Sequence, residues 1–411
     1  MKSIMSLLSI LIFTFLYACS PATQEVVSVD PSPVPVTATP SWSDALPMFR
    51  GNPDHVGVYN APAIHVLDGV KWKFKAEGAV TTSPALVDGL IYFGSQDGNL
   101  YALNSESGEK VWSFHTEKPI NSSPAVSNGV VYFQSNDGFS YALDSKSGEL
   151  KWKADTGPDR PTDFDNLSSS PTVQDGVVYI GGGNGKLYAL NADTGTEVWA
   201  VDALGPNPIR SSPAVIGDTI YFTAESKLLA LDRKTGKEKW MYKANTITRS
   251  SPSVGEGLVV FGDNSSNIYA VDSETGVEKW RYHIMYYWVT STAAISDGVV
   301  YIGGDDSYLN ALDAKTGTEK WRFKTTGETV WSSPALAGDV IYVGDWNFSN
   351  IKDESGSKLW GYIHAVDSKT GNELWNFKTG GNIVSSPVVD AKGVVYFGSL
   401  DGYLYALAGH E

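Results

Sequence analysis

Residues 121–152 read NSSPAVSNGVVYFQSNDGFSYALDSKSGELKW, and this stretch decides the fold. It predicts four short strands separated by turns. Residues 123–127 form the first, closed by Asn128-Gly129. Residues 130–134 form the second, a continuous apolar run suited to a strand buried on both faces. Asp137-Gly138 turns the chain into the third, residues 139–143. Asn-Gly and Asp-Gly supply the positive φ angles that two-residue hairpin turns demand. In the element from Asp144 to Gly148, the Asp side chain accepts from turn amides and Gly takes the left-handed conformation, which delivers Trp152 to a fixed place on an outer strand.

The unit recurs along the chain. Its Trp column is Trp72, Trp112, Trp152, Trp199, Trp240, Trp280, Trp321 and Trp375, with separations by subtraction of 40, 40, 47, 41, 40, 41 and 54. A period near ~40 built from four strands is the mark of a β-propeller blade. Seven intervals give seven blades. After Trp375 three further strands follow, ending near Leu407, with no Trp of their own. The orphan strand at residues 70–74 is what they lack. The sequence therefore predicts an all-β, eight-bladed propeller of four-stranded antiparallel blades, closed by the N-terminal strand so that no sheet edge is left open. The eight Trp side chains are expected to dock between blades.

The repeat resembles that of the PQQ-like (quinoprotein-type) propeller family from Trp72 to Leu407, and its Asp-Thr-Gly-Trp element is similar to that family's tryptophan-docking motif. Pro47 to His55 resembles the lead-in common to such proteins. Size and layout are similar to the BamB family of outer-membrane assembly lipoproteins, which implies a role in binding other proteins. Quinone dehydrogenases of the family add a vicinal Cys pair and a Ca²⁺ held by Glu, Asn and Asp. This chain has one cysteine, so no catalytic residue is carried over. PQQ with Ca²⁺ stays an alternative cofactor, and the expectation is that none is bound.

Residues 1–18 carry one charge, Lys2, and an apolar run that reads as a secretory signal. Leu16-Tyr17-Ala18-Cys19 resembles a lipobox, with Cys19 as the lipidated residue. Residues 19–46, rich in Pro, Thr and Ser, read as a tether, and residues 47–411 as the propeller. These readings place the protein outside the cytoplasm, lipid-anchored to a bacterial membrane and monomeric. The formal charge of −15 excludes a nucleic-acid partner.

Two intervals are enlarged, by insertions at residues 159–166 and 345–356; such insertions map to loops, often on the binding face. The residues before each Ser-Ser-Pro are expected at the channel mouth: Thr81, Asn121, Ser168, Arg210, Arg249, Thr290, Trp331 and Val384. With Tyr286, Tyr287, Trp288, Asp345 and Trp346, the residues Arg210, Arg249 and Trp331 form the candidate binding face, where Arg and aromatic side chains suit an anionic group or a protein surface. Asp345-x-Asn347-x-Ser349 begins like a calcium loop but lacks the required Gly. The pairs Asp163/Asp165 and Asp305/Asp306 could support acid–base work, as in propeller glycosidases, but better suit turns, and six His residues show no ligand spacing. Two alternatives to a binding scaffold stand: a quinone- or metal-dependent oxidoreductase, and a glycan-binding propeller.

Overall fold

The computed structural model describes residues 46–158, 168–203, 205, 207–285, 288–347 and 360–411. The signal, Cys19, nearly all of the tether, Tyr286, Tyr287, the whole of the first insertion and most of the second lie outside them. Within the unit Trp42–Glu411 the strands assemble into eight sheets. In each complete blade the strands lie in chain order from the innermost outward, antiparallel throughout. Blades one to seven span residues 85–115, 125–155, 172–202, 214–243, 253–283, 294–324 and 335–378. The eighth takes Val388–Val389, Val395–Gly398 and Tyr403–His410 from the C-terminal stretch and its outer strand, Val66–Lys75, from the N-terminal one. The described residues hold no helix. The ring and its closure are as the repeat implies.

Two local readings need correction. The first strand of blade two is only Ala125–Ser127, because the Ser123 amide turns sideways to the next blade and Pro124 has no N–H to give. Asn128-Gly129 is a two-residue turn with φ of 50° and 74°, but Asp137-Gly138 ends a four-residue connection between Val130–Gln134 and Phe139–Asp144. There Asp137 is a tie: it accepts the Phe139 amide at 3.0 Å and the Tyr141 hydroxyl at 2.7 Å.

The blades are joined by one repeated device. A bulge before each Trp re-aims the outer strand, so that Trp152 faces Ala142 and not the residue a regular ladder would give it. Its indole N–H then donates to the Ala192 carbonyl of the next blade at 2.8 Å, and its ring covers Gly195. The other seven indoles do the same, at 2.7–3.3 Å, with Ser105, Ser145, Arg233, Ser273, Ala314, Ser368 and, for Trp375, Ile64 as acceptors. The last of these lies just before the closing strand, so the ring closes with the same indole–carbonyl bond that joins its other blades.

The lead-in is not a surface segment. Residues 46–59 run inside the channel and serve one blade after another. Inner-strand amides of Leu86, Val126, Val215, Val254, Ile295 and Leu336 donate to the carbonyls of Leu46, Pro47, Pro53, Asp54, Val56 and Gly57, at 2.6–3.1 Å. His55 Nε2 meets Thr172 Oγ1 in blade three, and the Tyr59 hydroxyl donates to the Pro387 carbonyl in blade eight, both at 3.3 Å. Val58–Tyr59 adds a parallel strand inside blade seven. Inner strands would otherwise present unpaired backbone groups to the channel. This plug carries Arg50 and His55, both fully buried. Burial lowers Arg50 to about 10, which leaves it charged near neutral pH, and holds His55 at about 3, hence neutral.

Candidate binding face at the channel mouth

The Ser-Ser-Pro columns build the mouth. In six blades the first residue of the pair ties its own blade, as where Thr82 Oγ1 accepts the Gly94 amide, Ser169 Oγ the Gly181 amide and Ser385 Oγ the Gly398 amide, at 2.9–3.0 Å; Ser250 and Ser332 instead donate to the Ser291 and Ser385 carbonyls of the next blade. The second residue ties blade to blade. Its amide donates to the hydroxyl of its counterpart in the next blade, from Ser83 to Ser123, Ser123 to Ser170, Ser170 to Ser212 and Ser212 to Ser251. Beyond Thr292 the chain of bonds continues to Ser333 and Ser386, and from Ser386 back to Ser83. These bonds measure 2.8–3.1 Å, and the result is a ring of buried hydroxyls around the channel axis.

Above that ring the structure brings together all eight residues of the expected mouth, with Phe49 of the plug below them, around a cavity of about 70 Å³. Arg210 and Arg249 stand on adjacent blades and also line a second cleft of about 200 Å³ with Asn207, Glu225 and Ile247. The Arg249 guanidinium lies over the Trp288 ring, 4.7 Å from its centroid, a cation–π contact. The Trp288 amide and the Trp331 indole both donate to Asp305, at 3.4 and 2.6 Å, and the Trp331 ring packs on Trp346 with centroids 4.7 Å apart. One continuous wall thus runs from Arg249 through Trp288, Asp305 and Trp331 to Trp346. Burial pushes the Asp305 carboxyl up to about 6. The sequence offered Asp305 as a turn residue or, with Asp306, as an acid–base pair, and not as a partner of the two tryptophans.

Asp345 stands behind this face and not on it. It is fully buried; one oxygen accepts the Tyr362 amide at 2.6 Å, the other the Thr326 hydroxyl at 2.7 Å and His364 Nε2 at 3.1 Å. These bonds give it a structural task, holding both flanks of the inserted segment. His364 was missed. It occupies the column that is Tyr in blades one, two, three, five and eight, where the hydroxyl partners an Asp or Asn of the same blade. In blade seven imidazole replaces phenol, and its Nδ1 meets Glu373 at 2.7 Å. A His in a Tyr column was the available signal.

Burial alone would lower the His364 pKa, but its bonds to Asp345 and Glu373 outweigh that and raise it. Glu373 is lowered, chiefly by the same contact. A raised His stabilises fully below its unfolded pKa of about 6.5, and this contribution is lost as pH rises through the folded value. The Glu373 contribution is lost in the opposite direction, as pH falls through its depressed pKa. His364→Gln is therefore expected to cost about 1–3 kcal/mol near pH 6, with the gap to the unsubstituted protein shrinking at alkaline pH. Thermal midpoints across pH 5–9 check this; a gap independent of pH would show the imidazole to be neutral throughout.

The fold and joints define an eight-bladed propeller with a plugged channel and a cationic, aromatic mouth. The chain belongs to the family described as outer membrane protein assembly factor BamB, which matches residues 63–164, 160–287 and 287–362. Among solved structures it is similar to BamB from Moraxella catarrhalis, with 19% identity, 83% of this chain and 99% of that chain covered, and a TM-score of 0.67. It is also similar to a europium-containing methanol dehydrogenase (16% identity, 89% and 98% covered, TM-score 0.70). A third is the quinohemoprotein alcohol dehydrogenase from Comamonas testosteroni (16%, 90% and 81%, TM-score 0.73). No curated protein matches. At these identities the likeness to solved structures is one of fold.

The dehydrogenase likeness raises a calcium–quinone pair, which the described residues of the mouth do not fit. Its described lining includes no carboxylate, the hard oxygen ligand that Ca²⁺ takes. Asp305, just behind it, already accepts from two tryptophans. The cavity is also well below the ~300 Å³ at which ordinary cofactor pockets begin.

Proposed function

We propose that this protein is an extracytoplasmic, membrane-tethered scaffold that binds a protein or envelope component across the channel mouth and performs no chemistry of its own. The observation that carries this reading is the Arg249–Trp288–Asp305–Trp331–Trp346 wall. Arg and Trp are the side chains that dominate binding energy at protein interfaces, and here they are held in fixed orientations by one another. Ile247 and Met285, on inter-blade loops of the same side, expose apolar surface beside them. The family description, assembly of outer membrane proteins, points the same way.

A photo-crosslinking residue at position 247, introduced in the native envelope, is expected to give a discrete adduct that the double variant Trp331→Ala/Trp346→Ala loses. The same residue at position 241, on an outer strand, should give none. Adducts from 241 alone would move the interface to the rim. Saturable binding of pyrroloquinoline quinone with Ca²⁺ to residues 41–411 would instead favour the oxidoreductase alternative.

A further inference from the structure

We propose that the outer edge of blade three is a strand-addition site, where a protein partner pairs an extended segment with Lys or Arg at both ends against Glu197–Asp202. The surface lies apart from the mouth, so this goes beyond the scaffold reading.

Among the described residues each outer strand is hydrogen-bonded on one side only. Its other side offers backbone N–H and C=O groups to any passing strand. Lys on an edge strand is a common guard, because a foreign strand cannot pair there without crowding or desolvating the charge. Seven of the eight outer strands carry that guard. Lys110 stands on that of blade one, Lys151 and Lys153 on that of blade two, and Lys378 on that of blade seven. The outer strands of blades four, five, six and eight carry two or three Lys or Arg each. Blade three reads Glu-Val-Trp-Ala-Val-Asp, with no Lys, Arg or Pro. Its bulge before the Trp recurs in the other blades and does not set it apart.

The repeat supplies the control for this comparison. Where blades five and six place Lys279-Trp280-Arg281 and Lys320-Trp321-Arg322, blade three places Val198-Trp199-Ala200. Trp199 and Val201 pack on the core shared by blades three and four. Val198 and Ala200 alternate to the other face of the strand, and Val198 is 52% exposed. The small Ala200 leaves room beside it for a larger side chain on a cross-strand neighbour.

The charges of this strand select its occupant. Both are acidic, both are exposed, and they stand at its two ends, Glu197 and Asp202. A segment with a cation at each end meets them whichever way it runs, and an acidic one is repelled. Backbone pairing then supplies the affinity, and the end charges supply the choice.

An array of hexapeptides with Lys or Arg at both ends and Val, Ile, Thr or Tyr between, probed with the labelled full chain, tests the site. A second array carries Glu at both ends. Basic-ended members are expected to bind and acidic-ended ones to fail. For the strongest member, fluorescence anisotropy should show saturable one-to-one binding that weakens as KCl rises. Val198→Lys/Ala200→Arg, which writes the sequence of blades five and six into blade three, should weaken it about tenfold or more and leave the thermal midpoint unchanged. N-methylation of alternate peptide amides should abolish binding in one register and spare it in the other, since only one set of amides faces the edge. No binding by any basic-ended member, equal binding by acidic-ended ones, or binding unaltered in the double variant overturns the site. A dimer that the double variant abolishes also overturns it, by putting a second copy on the edge in place of a foreign strand. The crosslinks from position 247 are scored at the mouth, and Met241 belongs to the Lys-guarded edge of blade four. Failure of the strand-addition site therefore leaves the scaffold reading standing.

Discussion

A chain beginning at residue 76 is expected to lose its cooperative melt, whereas one beginning at residue 41 melts as the full chain does. The closing strand pairs along its whole length with Tyr403–His410, from Val66 opposite His410 to Lys75 opposite Tyr403. Without it, blade eight becomes a three-stranded sheet with an open outer edge. Two of the eight joints also fail together: Trp72 no longer reaches the Ser105 carbonyl, and Trp375 loses Ile64 as acceptor. Each joint is worth about 3–5 kcal/mol by the usual cost of truncating a buried aromatic. The two together rival the ~5–15 kcal/mol by which whole domains are stable.

A chain beginning at residue 60 separates the plug from the closing strand. It keeps every joint but leaves the amides of Leu86, Val126, Val215, Val254, Ile295 and Leu336 facing an empty channel. Water can satisfy them there, so the expected loss is smaller, and the midpoint should fall between those of the other two. Circular dichroism and calorimetry on the three chains give the order. A chain from 76 that melts with the chain from 41 would refute closure by the N-terminal strand.

The ring was legible because each joint repeats. Trp returns eight times, with Gly and an Asp or Asn at fixed offsets before seven of them, and the broken count at the two ends itself announced the closure. The mouth was legible for the same reason: the position before each Ser-Ser-Pro is a column, and eight columns around an axis must converge. The plug was not. Pro47 to His55 occurs once, its partners lie up to about 280 residues away in sequence, and Arg50 and His55 look like surface residues until the channel is closed around them. The tie between Trp331 and Asp305 was hidden similarly, because it joins two columns in different blades, and no period relates one column to another. Repeats disclose what each blade does with its neighbour; they are silent on what a single non-repeating segment does with all eight.

The joint itself gives the second large effect. Trp280→Ala should destabilise the protein by about 3–5 kcal/mol, since the ring is almost fully buried and its N–H donates to Ala314 at 2.7 Å. Trp199 is more exposed and its bond to Arg233 is 3.1 Å, so Trp199→Ala should cost less. Gly317→Ala attacks the same joint from the other side. Gly317 has φ of 71°, and a Cβ there would lie 2.6 Å from the Trp280 ring. The substitution therefore adds overpacking, about 1–3 kcal/mol, to a left-handed penalty of about 1–2 kcal/mol. Removing the indole removes the clash but leaves the backbone penalty. Gly317→Ala should accordingly cost less in the Trp280→Ala background than alone, and urea midpoints of the four proteins in the cycle measure the difference. Strict additivity would mean that the ring does not rest on the glycine, and that the docking geometry assigned to every blade is wrong.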